Sequence, residues 1–145
     1  IISNASCEIA RESTDLYKDI WRANFEEDKT LPKMGVARHI YIGQNDLEAN
    51  KICQRAYEAW YNNFMNLWTK NNVNPDVYPP DYKDAVKKDI VIAGKPETVT
   101  NEIKRQIDKA GLNYFVCRFA FGDLSYEESL SSLSLFRESV LPNFR

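Results

Sequence analysis

Nine residues near the carboxyl end, Asn113-Tyr-Phe-Val-Cys-Arg-Phe-Ala-Phe121, form an almost wholly apolar run set between two helix signals. Gly94-Lys95-Pro96-Glu97-Thr98 opens the helix before it, which Gly111 stops. Gly122-Asp123-Leu124 then leads into a second helix starting near Ser125. A strand apolar on both faces must be covered on both, and between helices that is the mark of a parallel sheet. The fold class is therefore α/β, helix-rich with few parallel strands, because parallel strands need long crossovers and the chain has only 145 residues.

The rest of the chain fits that class. Asn4 and Ser6 are candidate caps for a first helix reaching about Phe25, with Ile9, Leu16, Ile20 and Phe25 as its inner face and Ala10, Tyr17 and Trp21 beside them. Glu26 to Pro32 reads as a polar connection. Gly35-Val-Ala-Arg-His-Ile-Tyr-Ile42 is a second strand closed by Gly43. Asn45 with Glu48 makes a capping box for a long helix to about Lys70, striped by Ala49, Ile52, Cys53, Ala56, Trp60, Phe64, Leu67 and Trp68. Residues 71–82, with Asn74-Pro75 and Pro79-Pro80, are an irregular excursion, and 85–92 a short helical or extended piece. Val99, Ile103 and Ile107 line the helix that Pro96 opens. Ser125 and Glu128 box the last helix, with Leu130, Leu133, Phe136, Val140 and Leu141 inward and Pro142 ending it.

Several functions are excluded or disfavoured. A net charge of -2 with no Lys/Arg cluster gives no nucleic-acid surface. Lys83, Lys87 and Lys88 alternate with Asp81, Asp84 and Asp89, which reads as a solvated face. Cys7, Cys53 and Cys117 are odd in number and lie within helix and strand patterns, so reduced thiols and a cytoplasmic setting are expected. No apolar run approaches the ~20 residues that span a bilayer, so no membrane association is expected. The first residue is Ile1, not Met, which reads as trimming or as a piece of something longer.

The polar residues allow little catalysis. His39 is the single histidine, so no Cys/His metal site is expected, and mid-strand it reads as structural or solvent-facing. There is no G-x-S-x-G elbow for a nucleophile. Gly94-Lys95-Pro96 is either a phosphate-binding helix start or a plain cap; Pro96 removes one donor and favours the cap. Trp60, Tyr61, Phe64 and Trp68 read as packing. Arg118 is a charge in an apolar run at a strand's carboxyl end, where α/β folds place their sites, so it meets either an anionic ligand or a carboxylate.

The ordered set Gly94-Lys-Pro-Glu-Thr-Val99, Ala110-Gly111-Leu, Phe121-Gly122, Ser129-Leu130 through Leu135-Phe136 and Val140-Leu-Pro142 resembles the carboxyl-terminal signature of the bacterial-luciferase-like flavin monooxygenases. Upstream, Gly35 to Ile42 followed by Asn45-Asp-Leu-Glu-Ala49 resembles that family's strand leading into its long helix. The resemblance covers residues 4 to 145. It implies a (β/α)8 TIM-type barrel binding reduced FMN, or a deazaflavin in some branches, with a flavin reductase as possible partner. It also implies transfer of one oxygen atom from O2 to an aldehyde, alkane, sulfonate or terpene.

The chain matches only the last part of such a barrel. Gly35–Ile42 corresponds to the seventh strand, Asn113–Phe121 to the eighth and residues 1–3 to the tail of the sixth, giving a single partial-barrel domain, 1–145. Catalytic residues are not transferable. Arg118 and Phe121, with Tyr41 behind them, are the residues expected to line the mouth. On this reading the piece alone is inactive, holds no cofactor, and associates with itself to cover open sheet edges. The alternatives are a non-catalytic member of the flavin fold, or an autonomous αβ interaction domain that docks a partner through an exposed Trp60/Phe64/Trp68 face.

Overall fold

All eight residues of Gly35–Ile42, β1, are buried, and the rest of the chain is arranged around that strand. The computed structural model describes residues 1–2, 5–25, 29–73 and 78–144. Its elements are α1 (Cys7–Asn24), β1, α2 (Asp46–Lys70), α3 (Tyr82–Lys87), β2 (Val91–Gly94), α4 (Pro96–Ala110), β3 (Tyr114–Arg118) and α5 (Tyr126–Leu135). A π-helical turn, Phe136–Val140, and a 3-10 turn, Leu141–Phe144, follow. The sheet is parallel, in the order β2-β1-β3, as an α/β chain with few strands requires. Asn4, residues 26–28 of the polar connection and Asn74-Pro75 lie outside the described residues.

β1 has two different edges. One takes β3 along Gly35 to His39. The other is shared: the Ala37 N–H donates to the Ile2 carbonyl at 3.1 Å, and two residues on, the His39 N–H donates to the Ile90 carbonyl at 3.3 Å. Ile2 thus pairs with the lower half of that edge, in parallel with Val36, and β2 takes the upper half from His39 to Ile42.

The two faces differ as well. Ile40 and Ile42 pack on Val99 and Ile103 of α4 and on Val140, while Val36 packs on Cys7 and Ala10 of α1 and Ala110. The Ile42 N–H donates to Ser132 Oγ at 2.9 Å, which seats α5 on the same side. Side chains alternate along a strand, so His39 and Tyr41 point the other way. There Tyr41 meets Ala49, Cys53, Ala56 and Tyr57 of α2, Tyr82 and Ala85 of α3, and Phe121. Helices α1, α4 and α5 therefore share one face. The α2–α3 segment covers the carboxyl half of the other.

Helix ends follow their local chemistry. Asn45 accepts the Glu48 N–H, and Ser125 and Glu128 form a complete capping box. Gly111 closes α4 at φ 62, a left-handed conformation that glycine adopts without strain, and Lys18 donates to its carbonyl at 3.0 Å.

Four expectations need correction. In α1 the inner residues are Cys7, Ala10 and Thr14, whereas Ile9, Leu16, Ile20 and Phe25 are exposed. Small side chains let α1 approach α4 closely, and the Thr14 hydroxyl donates to the Ala110 carbonyl at 2.7 Å. In α5 Ser132 is inward and Leu130 and Leu133 are exposed, the π turn then swinging Phe136 and Val140 onto the core. The piece at 85–92 divides into α3 and a third strand, β2. The stripe on α2 is buried only as far as Trp60, and Phe64, Leu67 and Trp68 are exposed, because a helix of 25 residues, about 37 Å long, outruns an eight-residue strand.

Candidate functional site

The carboxyl end of the β1 face that carries Tyr41 collects every residue expected at the mouth. His39 and Arg118 are register partners on adjacent strands, so their side chains leave the sheet on the same side. Phe121 follows β3 directly and turns back over His39, their ring centroids 4.6 Å apart. Trp60 of α2 lies 4.4 Å from the same imidazole and Tyr57 6.4 Å, edge-on. The Tyr57 hydroxyl donates to the Pro79 carbonyl at 2.7 Å, which fixes its ring.

This packing fixes the state of His39. Both ring nitrogens are buried without a hydrogen-bond partner. Burial, reinforced by the nearby Arg118 charge, pushes its pKa down to about 3. His39 is a neutral side chain at pH 7, buried under these rings among the described residues. Among the described residues no three His, Cys, Asp or Glu groups converge on a metal position. Cys53 and Cys117, raised to about 12 by burial, and Cys7, raised to about 12 by burial and then by Asp89, stay protonated.

Arg118 is the contrasting group. It is half-buried and makes no hydrogen bond or ion pair among the described residues, so the carboxylate partner that its sequence context allows is not found there. Phe121 is buried beneath α2. Tyr41 is also buried, its hydroxyl raised by desolvation and then by Glu128 and Glu48, beside a cavity of about 100 Å³ lined by Gln44, Glu48, Ile52 and Ser131. The three expected mouth residues thus share one end of one face, with Arg118 the one available to solvent.

The loop after Phe121 is fastened to α2. Gly122 sits at φ 62, and a Cβ there would come 1.8 Å from the Ala56 carbonyl oxygen. Arg55 reaches from α2 to Asp123 at 3.1 Å and Glu128 at 2.7 Å.

The N-termini of α4 and α1 are already taken by carboxylates. At α4, the Asp46 carboxylate accepts the Lys95 N–H at 2.8 Å and occupies the place of an anion, so Gly94-Lys95-Pro96 is a cap. At α1, Asp89 accepts the Cys7 N–H at 2.9 Å. Asp89 itself is buried, not part of a solvated face. Burial works to raise its carboxyl, but hydrogen bonds from Cys7 and Arg105 outweigh this and hold it below the usual range. Arg38, absent from the sequence reading as a site, is fully buried on the opposite face, donating to Gln106 Oε1 and the Ala5 carbonyl, both at 2.9 Å.

Comparison with known proteins finds the same fold in two solved monooxygenases. No family model matches the chain. An uncharacterized protein, y4wF, of Sinorhizobium fredii (strain NBRC 101917 / NGR234) is 26% identical over 144 residues, spanning 96% of this chain and 42% of that protein. Monooxygenase RslO1 from Streptomyces bottropensis superposes with a TM-score of 0.75 at 22% identity over 99% of this chain and 40% of its own. The oxygenating constituent of 3,6-diketocamphane monooxygenase from Pseudomonas putida, a type II Baeyer-Villiger enzyme solved with FMN, gives 0.68 at 16% identity over 96% and 41%. The chain thus shares its fold with part of these two monooxygenases and spans about two-fifths of their length. No helix among the described residues is long and apolar enough to cross a membrane.

Proposed function

We propose that residues 1–145 are the carboxyl-terminal part of a luciferase-like, flavin-dependent monooxygenase that oxygenates a small organic substrate with O2. One observation carries this reading. The strand-alternating helices α1, α4 and α5 lie on one face of the sheet, and Arg118, Tyr41 and Phe121 gather at the carboxyl end of the other. That is the layout of a (β/α)8 wall, with helices outside and the site at the carboxyl mouth. On this reading α2 and α3 are an insertion folded over the mouth.

The residues fit the ring side of a flavin and not its phosphate. Arg118 supplies one guanidinium to an anionic edge, and the packed rings of Phe121 and Trp60 brace the face behind it. The phosphate is held outside this chain, since its helix N-termini at α1 and α4 already hold carboxylates. Bound reduced flavin supplies the electrons that activate O2. The chain's own part is to position the ring, shield it with α2, and keep titrating groups away: His39 stays neutral.

A chimera tests the proposal. Residues 1–145 replace the matching two-fifths of RslO1, and the soluble product is titrated with reduced FMN and assayed for flavin-dependent O2 consumption with product formation. Binding and oxygenation support the reading. A folded chimera that binds no flavin sinks it.

A further inference from the structure

We draw no further inference here: the strongest candidate, the exposed apolar face of Phe64, Leu67 and Trp68 on the far end of α2, has nothing in the structure to show what covers it.

Discussion

His39 and Arg118 are register partners on neighbouring strands, one sealed beneath three aromatic rings and the other half-buried. The pair sets a packed, neutral side chain beside a half-buried charged one. His39 fixes α2 and Phe121 in place by staying neutral.

The neutral state of His39 has a pH signature. Its folded pKa, about 3, lies far below the ordinary value of 6.5. The unfolded chain therefore binds a proton that the folded chain does not, and stability falls as pH drops through 6.5. The slope is about 1.4 kcal/mol per pH unit. Urea unfolding between pH 7.5 and 5 shows this loss in the wild type and a nearly flat profile in His39→Phe. The depressed carboxylates, Asp89 among them, act only below their own normal range. An equally steep His39→Phe profile contradicts the assignment.

Gly122 carries both a positive φ and the contact with Ala56. Gly122→Ala forces the mouth loop off α2 and costs about 2–4 kcal/mol, read as a lowered denaturation midpoint. Gly43→Ala, whose added Cβ meets Ala49 at 3.1 Å, costs distinctly less.

Asp89 joins three elements: the N-terminus of α1, the turn before β2, and Arg105 of α4. Its φ of 62 suits Asn far better than Ala. Asp89→Asn is expected to cost about 1–2 kcal/mol and Asp89→Ala about 3 kcal/mol in chemical denaturation. Equal losses mean that the backbone conformation carries no energy.

The aromatic stripe on α2 divides at Trp60. Trp60→Ala removes a ring packed on His39, Tyr57 and Tyr78 and costs about 3 kcal/mol. Leu67→Ala, on a side chain 68% exposed, shifts stability by less than about 0.5 kcal/mol in the same assay.

Local signals were legible in the sequence. Gly35–Ile42 is a strand with the bounds expected, Gly111 stops α4, and the Ser125–Glu128 capping box forms, because each depends on residues within a few positions. Facing directions were not legible. The helical periodicity of α1 presents two stripes, Ile9/Leu16/Ile20 and Cys7/Ala10/Thr14, and the smaller one is buried because close approach to α4 depends on residues 90 positions away. β2 was hidden for a similar reason: four residues carry no periodicity, and their strand state comes from pairing with β1. At the site, Arg118, Phe121 and Tyr41 could be placed by strand ends alone. The packing of His39 could not, since Trp60 and Tyr57 arrive from a helix whose course the sequence leaves open.

The central claim is that the face carrying Arg118 is the flavin side of the molecule. Its most direct measurement is the reduced-FMN affinity of the RslO1 chimera with Arg118→Ala beside Arg137→Ala, an exposed arginine paired with Glu138 after α5. Losing one charged contact weakens binding about tenfold. The account predicts that loss for Arg118→Ala alone, with far-UV spectra unchanged in both. Equal affinities for the two variants contradict it.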